Sequence, residues 1–520
     1  MVCWWCLFYV LLFYIFVMKL SKTDYILWRE CKKNAWMKWH RRDEYDAFGM
    51  SEFEQSLMEQ GNGIEEVART RWAGGYLIER RSPGAVALTQ KLMAAHEPVI
   101  FQAAFETEHY FVAADVLAWN PVSGVYDLYE VKMSTTEKGR KREYDYDIGF
   151  QKMVIERAGA RIGKTFLLKL NSEYVRHGAL DVHALFQEDD KTETVTELGE
   201  VIAEESARAY AYVQSAAEPE GHCDCYAKGR GAHCTAFPLC NPGVPAYGIH
   251  DLNMKHMTND AKSAFRKLLA SGVLRIDDIE DVEGMTLRQK NQVRAHQSQA
   301  PILDMPAIEA ELDSLVYPLY FLDYETYPSA IPAFDGYSPY QQIVFQYSLH
   351  IKTSPLGAVE HTEFIQMDGA DPAKQLAASL KKDIGATGNV IVWNKTFENT
   401  RNKELAKHAP EYADFFQDLI ARTYDLMDIV EKQHYVHPGF KGKASIKYVG
   451  PVLAPDVSYA DLHIKGGTGA IEGYRQVTSG EVTAAAKDAK IADMLAYCKQ
   501  DTYAMVRVWE EFMKLAGRDV

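Results

Sequence analysis

Carboxylate side chains in the C-terminal half have spacings that can hold divalent metal ions. In FLDYETY, Asp323 and Glu325 are two residues apart on a segment that predicts a strand, so their side chains share one face. Two adjacent carboxylates repel each other unless a cation lies between them. In YCKQD, Tyr497 and Asp501 share one face of a predicted helix, and VWNKTFENTR presents Glu398 after another strand. Such hard oxygen ligands predict a site for Mg²⁺ or Mn²⁺.

A second group of chemically competent residues lies in the N-terminal half. Asp115 lies in YFVAADVLAW, and Glu130 and Lys132 share one face of the strand-like segment YDLYEVKMS. A metal held by Asp115 and Glu130, with Lys132 beside the attacking water or the phosphate, can drive phosphodiester hydrolysis. Gln151 in the following helix and Glu66 in the first helix extend the group. A structural salt bridge is the alternative for an isolated Glu-x-Lys.

The cysteines form a third candidate site. The chain has eight, and one short segment, HCDCYAKGRGAHCTAFPLC, contributes Cys223, Cys225, Cys234 and Cys240, while Cys31 stands alone upstream. In a long, enzyme-like chain one such cluster is typical of metal binding in a reducing compartment rather than of a disulfide scaffold. Five thiols for a four-ligand site leave one spare.

The elements that must position these residues can be read from hydrophobic periodicity. In the N-terminal half, the pattern predicts the order α-β-β-β-α-β, with the helices over residues 52–70 and 146–158 and the strands over 99–105, 110–119, 125–133 and 165–170. In the C-terminal half it predicts three strands, a helix, a strand and then helices to the end. The strands cover residues 319–324, 343–351, 361–366 and 390–393, and the helices include 373–382 and 491–515.

Length and composition predict a multidomain α/β protein. At 520 residues the chain is too long for one ordinary domain. We expect an apolar leader over residues 1–17, an α/β domain with the cysteine cluster over 18–245, a helical connector over 246–314 and a second α/β domain over 315–520. The leader is either a misassigned start before Met18 or a membrane anchor. The net charge of -15 excludes a protein that coats nucleic acid by bulk positive charge.

The C-terminal motifs resemble those of DnaQ-like, DEDD-type 3′–5′ exonucleases, over roughly residues 317–515. Their first motif, Asp-x-Glu, is matched by Asp323 and Glu325, and their last, Tyr-x-x-x-Asp, by Tyr497 and Asp501. Their middle motif, Asn-x-x-x-acid, is matched by Asn394 with Glu398, although most members carry aspartate at the acid; Asp425 in YDLMD is a reserve ligand. The resemblance implies an RNase H-like sheet, two Mg²⁺ or Mn²⁺ ions on the four carboxylates, and a tyrosine that orients the attacking water.

The N-terminal series of Asp115, Glu130, Lys132 and Gln151 resembles the PD-(D/E)xK nucleases of the RecB-like and CRISPR-associated type, over about residues 20–240. The resemblance implies a restriction-endonuclease-like core. Such nucleases often hold a four-iron, four-sulfur cluster with one early and three late cysteines. Here these would be Cys31, Cys223, Cys225 and Cys234. A tetrahedral zinc held by the four late cysteines is the alternative.

The whole chain resembles an uncharacterised bacterial family that joins a RecB-like half to a DnaQ-like half. The resemblance implies a metal-dependent nuclease acting on nucleic acid, with DNA favoured over RNA. We expect it in the cytoplasm, or anchored to the inner membrane if residues 1–17 form an anchor. A catalytically inactive nucleic-acid-binding or scaffolding protein on the same folds is the alternative. Protein partners are not indicated by the sequence.

Overall fold

The computed structural model describes residues 18–49, 52–80, 82–138, 141–255, 257–480 and 482–520. It is a mixed α/β structure that divides into two compact units. Unit 1 comprises the described residues up to 226 together with 234–242, and unit 2 comprises residues 227–233 together with 243–520. The predicted leader, residues 1–17, lies outside the described residues. Within the described ranges, no helix has the length and apolar character needed to cross a membrane.

Unit 1 is built on a seven-stranded mixed sheet. Its strands are β1 (Leu20–Ser21), β2 (Tyr76–Leu77), β3 (Val99–Glu106), β4 (Tyr110–Asn120), β5 (Val125–Lys132), β6 (Ile162–Leu170) and β7 (Phe186–Asp190). They follow the order β2-β3-β4-β5-β6-β7, and β1 pairs with β4. The pairs β3–β4, β4–β5 and β6–β7 are antiparallel, whereas β5–β6 is parallel.

Helices pack against this sheet, and some of their side chains contact residues of its central strands. They are α1 (Lys22–Glu30), α2 (Lys32–His40), α3 (Arg42–Asp46), α4 (Glu52–Arg69), α5 (Ala85–Ala94), α6 (Lys141–Arg157), α7 (Val182–Leu185), α8 (Thr192–Glu197), α9 (Gly199–Gln214) and α10 (Phe237–Cys240). The predicted α-β-β-β-α-β series is found as α4-β3-β4-β5-α6-β6, but β2 and α5 come between α4 and β3 and were not predicted. A further difference is α6, which begins five residues before the predicted helix because polar residues of its first turn hide the amphipathic pattern.

Unit 2 contains a five-stranded sheet in the order β11-β10-β9-β12-β13. Its strands are β9 (Leu319–Pro328), β10 (Gln342–Lys352), β11 (Val359–Ile365), β12 (Asn389–Val392) and β13 (Thr423–Asp425); β8 (Ile302–Leu303) and β14 (Tyr435–Val436) form a separate pair. Strands β9, β10 and β11 are antiparallel, and β12 runs parallel to both β9 and β13. The predicted order of three strands, a helix and a strand is confirmed, but the prediction that only helices follow is wrong, because the short strands β13 and β14 come after β12.

The helices of unit 2 include those of the segment 246–314, which the sequence predicts as a connector and which belongs to this unit by its contacts. They are α11 (Asn259–Ala270), α12 (Leu287–Ser298), α13 (Met305–Asp313), α14 (Ala373–Asp383), α15 (Lys395–His408), α16 (Ala413–Arg422), α17 (Asp428–Glu431), α18 (Ile446–Leu453), α19 (Gly467–Ser479) and α20 (Ala484–Leu515).

The two faces of β9 determine where its acidic residues point. Tyr320 and Leu322 belong to the buried cluster that includes apolar residues of α14, α15 and α16. Phe321 points the other way and lies against Trp509 of α20, with ring centroids 6.0 Å apart. Because side chains alternate along a strand, Asp323 and Glu325 share the face of Phe321. Helix α20, the longest of the described helices, therefore covers the face that carries both carboxylates.

Candidate functional site

Four carboxylates of unit 2 lie close together on the side of the sheet that α20 covers. Asp323 and Glu325 come from β9, Glu398 from the first turn of α15, and Asp501 from the middle of α20. Glu325, Glu398 and Asp501 are buried, and Asp323 is half-buried. Burial raises the pKa of Asp323, and the charge of Asp501 raises it further. Burial is also the main cause that raises the pKa of Glu325, and the charges of Asp323 and Asp501 add to it. The four acids named in the sequence thus form one interacting group.

The group has few compensating cations. Lys447 is the cation that lowers the pKa of Asp323, Glu325 and Asp501, and it does not offset the effect of burial. Burial, followed by Asp323 and Glu325, holds the pKa of Glu398 well above its usual value, and one Glu398 oxygen is buried without a hydrogen-bond partner. An arrangement of this kind is unfavourable in the ionised state and is suited to bound divalent cations.

Hydroxyl and thiol groups border the carboxylates. Tyr459 donates to Asp501 Oδ1 at 2.5 Å, and Tyr497 also hydrogen-bonds to this carboxylate. The Sγ of Cys498 is 3.8 Å from the Asp323 carboxylate, and one ligand atom each from Asp323, Glu325 and Cys498 lie within 4.8 Å of one another. Sequence reasoning named Tyr497 but missed Tyr459, because Tyr459 has no fixed spacing to any of the motifs.

Asn394 and Asp425 stabilise the backbone at the edge of this site by hydrogen bonds. The Asn394 side chain caps α15 by accepting from Phe397 N at 3.2 Å, which fixes the turn that carries Glu398. The two Asp425 oxygens accept from the main-chain nitrogens of Lys395 and Met427, at 2.8 and 3.1 Å. Asp425, the reserve ligand, is therefore engaged with the backbone that supports the site.

Unit 1 places all four residues of its predicted series in one cluster. Strand pairing puts Val116 opposite Tyr129, at the end of the paired stretch next to Asp115 and Glu130, and the charge of Glu130 acts on Asp115. Glu130 accepts from Lys132 Nζ at 2.6 Å and from Gln151 Nε2 at 2.7 Å. Asp115 accepts from the main-chain nitrogen of Val131 at 3.0 Å. The series is therefore a single hydrogen-bonded site and not a set of separate surface pairs.

Four residues of this cluster were not predicted from the sequence, and for one of them the neighbouring residue was predicted instead. Lys22 contacts Glu130, and Asp147 accepts from Lys132 at 2.7 Å. Gln102 connects the cluster to α4, because its amide donates to Glu65 at 2.7 Å and to Asp115 at 3.2 Å. The prediction of Glu66 is wrong: its side chain is 71% exposed, and the adjacent Glu65 faces the site. One residue turns a helical side chain by about 100°, which periodicity could not resolve here.

The two acids of unit 1 respond to their surroundings in opposite ways. Burial would raise the pKa of Glu130, but Lys132 and Lys22 hold it well below its usual value. Burial raises the pKa of Asp115 to about 7, and the charge of Glu130 acts in the same direction. Asp115 is therefore the acid of this pair whose ionisation is costly at neutral pH.

We expect Asp115→Asn to stabilise unit 1 in metal-free buffer, and more at pH 8 than at pH 5. Between about pH 4 and pH 7 the folded chain keeps a proton that the unfolded chain has released, so the free energy of unfolding falls as the pH rises. The variant does not have this decrease in the free energy of unfolding. Its gain in the free energy of unfolding over the wild type is at most about 4 kcal/mol, because a pKa difference of one corresponds to about 1.4 kcal/mol. Urea denaturation at both pH values measures the gain. An equal gain at pH 5 and pH 8 would contradict the ionisation argument.

The cysteines predicted to form a metal site meet at the end of α1. Cys31 stands between α1 and α2, and the Sγ atoms of Cys31, Cys223, Cys225 and Cys234 lie within 4.8 Å of one another. The Sγ of Cys234 is 3.7 Å from that of Cys31 and 4.0 Å from that of Cys223. A cysteine cluster able to bind a metal is therefore confirmed. Its members are the four chosen from the sequence, and Cys240, buried nearby, lies outside the group.

The separations between these sulfurs test which metal group fits. Around one tetrahedral ion with metal–sulfur bonds of about 2.3 Å, thiolates lie roughly 3.8 Å apart. The observed 3.7 and 4.0 Å fit such an ion. A four-iron cluster, in which each thiolate binds a different iron, needs wider spacing. The grouping favours Cys31 over Cys240 as the fourth ligand, although Cys240 also hydrogen-bonds to Cys223.

Comparisons with known proteins add a family model and one relative. Residues 320–445, which include Asp323, Glu325 and Glu398, match the model described as Domain of unknown function (DUF2779). An uncharacterized protein of Ureaplasma parvum serovar 3 is 28% identical over 265 residues, which cover 46% of this chain and 37% of the relative. The chain thus matches little more than a third of that relative's length. No solved structure matches the chain.

Proposed function

We propose that the protein is a metal-dependent nuclease that hydrolyses phosphodiester bonds, with a 3′–5′ exonuclease-like site in unit 2. The observation that carries the proposal is the meeting of Asp323, Glu325, Glu398 and Asp501 with little compensating positive charge. The order of strands and helices in unit 2 also agrees with the RNase H-like sheet implied by the DnaQ-like resemblance.

Each residue of the unit 2 site has a definite part in this proposal. The four carboxylates would hold two Mg²⁺ or Mn²⁺ ions, which supply activation of water and stabilisation of the leaving oxygen. Tyr459 and Tyr497 orient Asp501 by hydrogen bonds, and the Tyr497 hydroxyl is the group proposed to position the attacking water. Lys447, 5.3 Å from the centre of the Tyr497 ring, would provide positive charge for binding a phosphate beside the carboxylates.

Unit 1 is proposed as a second nuclease site on a restriction-endonuclease-like core. Asp115 and Glu130 would hold a divalent metal, Gln151 orients Glu130, and Lys132 lies beside both Glu130 and Asp147. In this proposal Lys132, which here pairs with Glu130 and Asp147, would stabilise charge on a phosphate. A non-catalytic, nucleic-acid-binding unit 1 is the second candidate, because two lysines already neutralise Glu130.

The cysteine cluster is proposed to hold a metal group that ties the N-terminal helices to the segment 223–234. The RecB-like resemblance favours a four-iron, four-sulfur cluster, whereas the sulfur separations favour a single tetrahedral ion such as zinc. The proposed substrate is nucleic acid, with DNA favoured over RNA. The proposed location is the cytoplasm.

A nuclease assay separates the two units. The full-length chain should degrade labelled single-stranded or duplex DNA or RNA with Mg²⁺ or Mn²⁺ and not with EDTA, because both sites depend on divalent metal. In an Asp501→Ala protein, cleavage that remains should disappear on adding Glu130→Ala or Lys132→Met. Lys152→Met, at an exposed pair with Glu156 on α6, is the matched control and should keep the remaining cleavage.

The outcomes of this assay distinguish the candidates. Cleavage at the wild-type rate in EDTA would contradict the proposal of metal-dependent catalysis. An Asp501→Ala protein without cleavage on any substrate, but with retained binding of labelled strands, would assign unit 1 to the second candidate.

A further inference from the structure

Lys22 occupies a position in unit 1 that no sequence motif assigns. It is the first residue of α1, and its Nζ lies 2.8 and 2.9 Å from the two oxygens of Glu130. The same ammonium group is 4.0 Å from an oxygen of Asp115. These are the two carboxylates proposed to hold the metal of this unit. Lys22 therefore contacts both oxygens of one proposed ligand and approaches the other.

The position of Lys22 is fixed by the backbone around it. The preceding strand β1 pairs with β4, the strand that carries Asp115, through Leu20 with Tyr110 and Ser21 with Phe111. Ser21 caps α1, and Asp24 closes the cap by accepting from Ser21. With 23% of its side chain exposed, Lys22 is not a free surface lysine. The contact with Glu130 is a built feature of unit 1.

Lys22 also completes the charge balance of the site. The carboxylates that face it are Asp115, Glu130 and Asp147, and the second cation is Lys132, which contacts Glu130 and Asp147. Outside these five residues, Glu65 lies on the Asp115 side of the site and is paired with Arg69 and Arg80. A divalent ion bound to Glu130 would lie beside two ammonium groups, and like charges at such distances repel strongly in a buried site.

We propose that Lys22 is a resident counter-ion that competes with divalent metal for Glu130. The site then has two states, one in which Lys22 contacts Glu130 and one in which Lys22 has moved away and a metal ion is bound. This inference rests on the proposed function of Asp115 and Glu130 as metal ligands. It adds a residue that sets how tightly unit 1 binds its metal.

Metal binding to the full-length chain tests this directly. The parent protein for this test carries Asp323→Asn and Asp501→Asn, which remove proposed metal ligands of unit 2. Its binding of Mn²⁺ is measured as the decrease of the free-ion signal in electron paramagnetic resonance. Adding Lys22→Met should tighten the Glu130-dependent binding on the order of tenfold or more, because one competing charge is removed. Lys22→Arg keeps the charge and should stay close to the parent. Lys19→Met, at a surface pair with Glu106, is the matched control and should also stay close to the parent.

The possible results separate this inference from the proposed function. Equal or weaker binding in Lys22→Met than in the parent, with binding still abolished by Glu130→Gln, overturns the competition and leaves the unit 1 metal site standing. Absence of Glu130-dependent binding in both proteins overturns the metal site and the competition together. If Lys22→Met does not fold, as judged by its thermal transition, Lys22→Gln takes its place with the same expectation.

Discussion

Asp323→Ala and Asp501→Ala should each lower metal-dependent exonuclease turnover on the order of a thousandfold or more. Each change removes a proposed metal ligand, metal ions contribute several kcal/mol to such reactions, and about 1.4 kcal/mol corresponds to tenfold in rate. The melting temperature without metal should stay the same or rise, because a buried carboxylate and its repulsion with the neighbouring acids are removed. Turnover on a 3′-labelled single strand and a thermal melt in EDTA measure the two effects.

The stability part of this prediction has a pH dependence. Burial raises the pKa of Asp501, so the folded chain holds a proton at pH values where the unfolded chain has lost it. The free energy of unfolding of the wild type therefore declines as the pH rises through this range, and the gain from Asp501→Ala grows in the same direction. Asp488→Ala, at an exposed position on α20, is the control and should change neither turnover nor stability appreciably. Wild-type turnover in Asp323→Ala would contradict the assignment of the site.

Cys31→Ala should release the metal of unit 1 and destabilise that unit as a whole. Cys31 is the one member of the cluster that lies between α1 and α2, so its loss would disconnect the proposed metal from these helices. Binding free energy of a structural metal contributes to folding, and apparent values reach about 10 kcal/mol or more, so a loss of several kcal/mol is expected. Metal content and the thermal transition of unit 1 measure the effect, and exonuclease activity of unit 2 should persist.

Cys240→Ala is the matched control, because Cys240 is also buried but lies outside the group of four. It should keep the metal. Colour then identifies the metal group: an iron–sulfur cluster gives brown anaerobic protein with broad absorption near ~400 nm, whereas zinc is colourless. Metal that is retained in Cys31→Ala and lost in Cys240→Ala would contradict the proposed ligand set.

Short-range patterns predicted much of both carboxylate sites. Strand alternation placed Asp323 and Glu325 on one face, and helical spacing placed Tyr497 and Asp501 together, because both relations depend only on local geometry. The order of the longer strands also followed from local periodicity, whereas the short strands β2, β13 and β14 and the helix α5 were not predicted. Such relations extend over a few residues, and the sequence determines them directly.

Contacts between residues far apart in the sequence could not be predicted from local sequence patterns. Lys22 meets Glu130 across 108 residues, and this pairing depends on β1 joining β4, which a two-residue strand does not reveal. Gln102 is similar, since it has a positive φ of 55° within β3 and no sequence pattern indicates that its amide connects Glu65 to Asp115. The set of Cys31, Cys223, Cys225 and Cys234, by contrast, was predicted from the sequence through the family resemblance, and the structure brings these four together.

Helix α1 begins at Lys22 and ends beside Cys31, so one rod of nine residues, about 13–14 Å long, joins the carboxylates of unit 1 to its thiols. A displacement of the thiol end of a helix this short would be transmitted to its other end and would alter the distance between the Lys22 ammonium and Glu130. Binding of a metal by the four sulfurs would thus be linked by geometry to the charge that the carboxylates of unit 1 experience.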